Sequence, residues 1–396
     1  MAGFFVYSDH MANVNSKVNR APWAVRSAFI ANGIGVGAIY ARIPDIKVNL
    51  ALNNPQVGTL LLSGSIGVML MITQIGRIVA TRGSRPVVII SSYLGAFTFF
   101  PIALSPNFLT ICLAMVIWGA VLTAQDVAMN THAATVEHVE QKKYMSGFHA
   151  VFSVGALLGG FFGGLASQFK VTLLEQAFVI ALMYVVLASV VINWWLPAGA
   201  DIHEFKKEEK TKRPTLFIFI GLLGLASTIN EGAAGDWGGI LARETFNAAP
   251  FLATLPYIFY NFAMVVGRFS GDRLSAKFGA LKILFTSGII SGIGLTIGLL
   301  VGNVYGQIFG WLAIGAGMSV VIPTVFSLAA EIARKSGQLA PAQAVAIASG
   351  ISYFGFTIGP PIMGYLSTLL TLRWAMLIPA VLAFYIAFGS KRIKYS

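Results

Sequence analysis

The chain has 396 residues, 56% of them hydrophobic and 11% charged, with a mean hydropathy of +0.76. Soluble domains carry roughly 25% charged residues, so a water-soluble fold is excluded. The formal net charge of +12 is distributed over segment ends and connections rather than gathered on one basic face, which argues against nucleic acid as a partner.

The first 20 residues are polar and lack an apolar core ending in small residues, so no cleavable signal peptide is expected. Apolar segments then recur at 24–46, 56–79, 86–104, 107–135, 145–168, 173–196, 215–242, 250–271, 280–301, 304–333, 341–368 and 371–389. About 20 apolar residues suffice for a helix to cross a hydrocarbon core of roughly 30 Å. Alternation of strand length is absent, so the expected fold is an all-α polytopic membrane protein with twelve transmembrane helices, not a β-barrel. Cys112, the single cysteine, lies inside an apolar segment and reads as a packing residue.

With the N-terminus in the cytoplasm, 22 of the 27 lysines and arginines fall on that side, among them Arg77, Arg82, Arg85 and Lys391. Both termini then share one compartment, which requires an even number of spans. The polar connection 197–214, with its charged run His203 to Lys210, divides the chain. The expected organisation is a cytoplasmic segment 1–23, a six-helix bundle 24–196, a cytoplasmic linker 197–214, a second six-helix bundle 215–389 and a cytoplasmic tail 390–396.

The halves repeat. GRIVATR at Gly76 to Arg82 matches GRFSGDR at Gly267 to Arg273, 191 residues later, and the same offset brings Tyr40 onto Glu231 and Asp45 onto Asp236. Gly155, Gly159 and Gly164 match Gly355, Gly359 and Gly364 at an offset of 200. Two parallel repeats point to an alternating-access carrier with its site at their interface.

Ionisable residues within spans are expensive and are functional candidates by default. Asp126 lies near the midplane of the fourth span, with Asn130 one turn away on the same face. Together they are candidates for proton exchange and solute binding, against the alternative of a structural hydrogen-bonded pair. In the seventh span, NEGAAGDWGG supplies Glu231 as a candidate for proton coupling and solute binding, Asn230 as a solute-binding neighbour in the same polar cluster, and Asp236, which could bind solute or simply face extracellular water; its glycines are expected to loosen the helix and expose backbone carbonyls. His149 could relay protons, with a structural role as the alternative. Arg42 could bind an anionic solute or pair with an acid of the seventh span, or snorkel to the outer surface. Tyr257, Tyr260 and Asn261 of the eighth span could stack on and orient a solute, or serve as packing.

These features resemble the major facilitator superfamily over essentially the whole chain. The connection after the second span, with Gly76, Gly83 and Arg85, is similar to that family's G-x-x-x-D-R-x-G-R-[RK] loop, with Ala80 and Thr81 in place of the acidic and basic pair. The loop after the eighth span keeps Asp272 and Arg273. Arg77, Arg82, Arg268, Asp272 and Arg273 are accordingly expected to latch the halves. DVAMN at Asp126 and FHAVFSVGALLGG at Phe148 resemble the MosC-like branch near the fucose-permease group, whose fourth span carries an acid and an Asn four residues apart. Where that group has an acid on the first span, four residues before an Ile-Pro pair, this chain has Tyr40, a candidate solute contact. The fifth span reads G-A-L-L-G-G, with Ala156 replacing the proline of drug antiporters.

The resemblance implies a secondary transporter of a small polar, sugar-like solute, coupled to protons by symport and working as a monomer in the lipid bilayer of a bacterial inner membrane. Proton-driven efflux of amphipathic compounds and a non-transporting sensor are the alternatives. No clustered His, Asp or Ser arrangement suggests an enzyme. No Walker-type loop, strand-borne glycine motif or Cys/His spacing suggests a cofactor or a metal.

Overall fold

The computed structural model describes residues 2–142, 144–197, 215–336 and 341–393, with side chains from Asn19 onward apart from Thr73, Ser146, Asp272, Ala276, Pro341 and Ala342. All of its regular elements are helices: α1 (Ala2–Asn49), α2 (Asn54–Arg82), α3 (Ser84–Phe97), α4 (Phe99–Ala103), α5 (Phe108–Glu140), α6 (Met145–Gln168), α7 (Leu173–Val191), α8 (Thr215–Phe246), α9 (Pro250–Phe278), α10 (Ala280–Val301), α11 (Val304–Met318), α12 (Val321–Ser336), α13 (Pro341–Leu366), α14 (Leu372–Ala375) and α15 (Leu377–Ser390). Among the described residues, twelve stretches are long and apolar enough to cross a membrane, from Asn19–Asn49 to Leu372–Ser390. α3 with α4, α11 with α12, and α14 with α15 each form one such stretch, interrupted near Thr98, Ser319 and Met376.

Local chemistry sets several of the starts. Asn107 accepts the Thr110 N–H at 3.0 Å while Thr110 Oγ1 accepts the Asn107 N–H at 3.3 Å, a reciprocal cap for α5. Thr172 and Glu175 do the same for α7. Asn303 takes the Gly306 N–H at 2.9 Å for α11. The first apolar stretch begins at Asn19, five residues before the expected 24, inside a helix that starts at Ala2. The charged run His203 to Lys210 lies outside the described residues.

Contacts group the chain into two compact units. The first comprises Met1–Ala38, Ser63–Gly159 and Lys170–Glu208; the second comprises Ile39–Leu62, Gly160–Phe169 and Glu209–Ser396.

In the first unit, Phe29, Met129, Phe148 and Trp195 form a fully buried apolar centre, and the rings of Phe29 and Phe148 stack at 5.7 Å. α1 and α6 approach backbone to backbone: a Cβ on Gly155 or Gly159 would strike the carbonyl of Ile30 or Ile34. Small residues permit this approach, and dispersion contacts replace the hydrophobic drive that lipid removes. His132 is buried, with Nδ1 2.7 Å from Ser84 Oγ and Nε2 accepting the Leu196 N–H at 3.2 Å, so it ties three segments together.

In the second unit α8 packs on α13 in the same way, with Gly355 against the carbonyl of Leu225 and Gly221 against Ile351. Gly159 meets Ile34, 125 residues earlier, whereas Gly355 meets Leu225, 130 residues earlier. The second repeat is therefore longer by five residues between these helices. Offsets of 191 and 200 imply nine, so the glycine match at 200 is one helical turn out of register with the packing.

Candidate solute and proton site

In the first unit Asp126 stands close to the middle of the 33-residue α5. It is exposed, while its neighbours Gln125, Ala128 and Met129 are buried. At ~100° per residue, nine residues place Asp126 about half a turn around the helix from Ile117, an exposed apolar side chain on the face shared with Leu113. The carboxylate thus opens on a face distinct from the apolar one. Asn130 Nδ2 donates to Asp126 Oδ1 at 3.0 Å and to the Asp126 carbonyl at 2.9 Å. Oδ2 has no partner among the described residues. Behind it, Asn32 donates to Gln125 at 3.0 Å and Gln125 donates to Ser92 Oγ at 3.1 Å, a buried chain that fixes the rotation of α5. Sequence reading missed that brace, because Gln125 is neither charged nor part of a motif. His149 is exposed on α6 with its ring edge-on to Phe29 at 5.3 Å.

In the second unit Glu231 sits at the midpoint of α8. Ser227 Oγ donates to its Oε1 at 3.2 Å, and Arg268 Nη2 lies 3.8 Å from its Oε2. At that distance the charges attract without a hydrogen bond. Arg268, expected to latch the halves, lies within the span Pro250–Gly271 and reaches this carboxylate. Asn230 is fully buried; its Nδ2 donates to the Ala226 carbonyl at 2.8 Å and its Oδ1 has no hydrogen-bond partner among the described residues.

Tyr40 from α1 comes against α8 and α9, with its ring 5.6 Å from that of Tyr257. Asp236 and Tyr260 are buried near them, Tyr260 within electrostatic reach of Glu231 and Tyr40 within reach of Asp236. Asn261 turns back to donate to the Tyr257 carbonyl at 2.9 Å. The second unit therefore assembles Tyr40, Glu231, Asp236, Tyr257 and Tyr260, five of the residues singled out from sequence.

Two expectations about this region are corrected. α8 runs unbroken through NEGAAGDWGG, and its glycines serve close packing: Gly235 meets the ring of Tyr40, Gly239 meets Pro44, and Gln307 Nε2 donates to the Gly238 carbonyl at 2.6 Å. Arg42 does not snorkel. It is 4% exposed, and its Nε lies 2.6 Å from Asp45 Oδ2 on its own helix.

Asp45 is the centre of a charge cluster that sequence reading did not find. Besides Arg42 it pairs with Arg243 of α8 and accepts a hydrogen bond from Ser167 Oγ of α6 at 2.9 Å. Lys47 pairs with Glu244 alongside. Gln168 Oε1 accepts the Phe251 N–H at 3.2 Å, and Phe161 meets Phe251 edge-on at 5.5 Å. The ends of α1, α6 and α8 and the start of α9 are thereby fastened together. Arg77, Arg82 and Arg273, by contrast, are exposed and have no ion pair among the described residues, and the Asp272 side chain lies outside them.

A model of the Major Facilitator Superfamily matches residues 27–230 and 215–389. The chain belongs to the major facilitator superfamily. It is 28% identical over 377 residues to an uncharacterized MFS-type transporter of Yersinia pestis, covering 93% of this chain and 95% of that one. It is 27% identical over 362 residues to the membrane protein MosC of Rhizobium meliloti, covering 89% and 85%. Among solved structures, the nucleoside transporter NupG superposes with a TM-score of 0.71 at 14% identity, covering 94% of this chain and 99% of that one. The MFS transporter FucP, in an outward conformation, superposes at 0.62 with 18% identity, covering 95% and 99%. Such identities show the fold alone. As a member of this superfamily the chain is an integral, multi-pass membrane protein with a transporter fold, and its natural partner is a small-molecule solute.

Proposed function

We propose that this protein is a secondary active transporter that carries a small polar solute by alternating access and couples it to protons, most simply in symport. The supporting observation is Asp126: a mid-span carboxylate, exposed away from the apolar face, with one oxygen held by Asn130 and the other uncommitted. A carboxylate that water reaches at that depth can take up and release a proton, whereas one facing lipid cannot be sustained. Within the second unit Glu231, held loosely by Arg268 and Ser227, is the second proposed proton carrier, with Tyr257 and Tyr260 as solute contacts there; within the first unit Asn130 is the proposed solute contact beside Asp126.

The clustered ion pairs of Asp45 with Arg243 and of Lys47 with Glu244 form the gate in this reading, and they must part when that end of the second unit opens. The excess of basic residues near one set of helix ends supports a cytoplasmic placement of both termini, and the bacterial sources of the relatives support an inner-membrane location. We take the working form to be the monomer.

The test is proton movement into liposomes containing the purified protein, read by an internal pH-sensitive dye as sugars, polyols, nucleosides and amines are added in turn. A solute that draws protons inward supports symport. Outward movement on addition from the same side supports proton-driven efflux, and solute flux indifferent to the proton gradient removes the coupling.

A further inference from the structure

Among the described residues of the second unit, one carboxylate serves neither the proton scheme nor an ion pair. Asp236 is 5% exposed and makes no hydrogen bond or ion pair among the described residues. The basic side chains of this region are engaged elsewhere, Arg42 and Arg243 by Asp45 and Arg268 by Glu231. A buried carboxylate left in this way needs a positive partner or a proton.

Its surroundings favour the first. Gly232 leaves the room that Asp236 occupies: a Cβ there would stand 3.3 Å from Asp236 Oδ2 and 3.5 Å from the Phe356 ring. A Cβ on Gly235 would stand 3.2 Å from three ring atoms of Tyr40, so the ring lies face-on to α8 one residue before the acid. A Cβ on Gly160 would come within 2.9 Å of the Tyr257 ring. Tyr40 and Tyr257 are 5.6 Å apart and inclined at 50°. Gly235 and Gly160 thus make space for two aromatic rings that meet each other, and the nearer of them, Tyr40, lies within electrostatic reach of the uncompensated Asp236, for which Gly232 leaves room. Aromatic faces and a carboxylate both attract a cation, and they have this preference in common over a neutral hydroxyl or an anion.

Resting on the transport reading above, we infer that Asp236, Tyr40 and Tyr257 bind the positively charged nitrogen of the solute, and that the protein carries a small organic ammonium compound. A neutral polyol would leave the Asp236 charge uncompensated, and an anion would be repelled by it.

The experiment measures binding to the purified full-length protein by its thermal stability, with ethanolammonium and tetramethylammonium as cationic probes, ethylene glycol as the neutral one and glycolate as the anionic one. The cations are expected to stabilise the wild type and the other two probes to leave it unchanged. Asp236→Asn is expected to weaken cation binding by at least about tenfold, and Tyr40→Leu by about five- to tenfold, with Tyr40→Phe retaining most of it. Equal stabilisation by ethylene glycol or glycolate, no response to either cation, or undiminished cation binding in Tyr40→Leu or Asp236→Asn overturns the inference. The last two results are those expected if Asp236 simply holds a proton. No gradient is applied, so a failure of proton coupling at Asp126 leaves this result standing, and the reverse also holds.

Discussion

Asp45, near the end of α1, is ion-paired to Arg243, 198 residues later and near the end of α8. The same carboxylate takes Arg42 from its own helix and Ser167 from α6, so one side chain satisfies donors from three helices. Such a junction is directional. Removing one partner leaves the remaining charge poorly solvated, which is the usual reason that breaking a partly buried pair costs more than forming it contributes.

The neighbouring pair gives the cleaner measurement, since Lys47 and Glu244 have each other and little else. Lys47→Glu is expected to lower the stability of the detergent-solubilised protein by about 1–3 kcal/mol, and adding Glu244→Lys to recover about 0.5–2 kcal/mol of it. Thermal unfolding of the two single variants and the double variant checks this. Additive losses would mean that the two side chains do not act as a pair.

The glycines differ sharply in what they permit. Gly159→Ala places a methyl group against the Ile34 carbonyl and is expected to destabilise by about 1–3 kcal/mol. Gly350→Ala meets nothing within 4 Å and is expected to be neutral or to gain roughly 0.5–1 kcal/mol through helix propensity. Unfolding temperatures of the two variants, measured side by side, decide the point.

A third expectation concerns the unbroken α8. Gln307 Nε2 holds the Gly238 carbonyl, and both groups are buried. Gln307→Leu removes that donor and is expected to cost about 1–3 kcal/mol, read as a lower unfolding temperature. An unchanged temperature would show that the carbonyl finds another donor.

How far the sequence reaches can be judged from particular residues. Hydropathy over some 20 positions reports the spans directly, because a helix crossing lipid must be apolar along its length. The interruptions at Thr98, Ser319 and Met376 do not alter hydropathy and stay invisible to it. The glycines of α8 are ambiguous for a physical reason: a missing Cβ serves either a loosened backbone or a close neighbour, and only the positions of Tyr40, Pro44 and Pro256 decide between them. Asp126, Glu231 and Asp236 are legible as costly charges within apolar runs. Asp45 and Lys47 lie near a helix end where charge is ordinary, so nothing marked them for partners nearly 200 residues away. Tyr40 emerged from the repeat offset and Tyr257 from its span, but their meeting needed coordinates.

Proton carriage by Asp126 is tested most directly by comparing two modes of flux in liposomes containing Asp126→Asn. Uphill accumulation of solute driven by a proton gradient is predicted to disappear, while exchange of labelled for unlabelled solute across the same membrane, which needs no net proton movement, is predicted to persist. Accumulation that continues undiminished in Asp126→Asn would contradict that role.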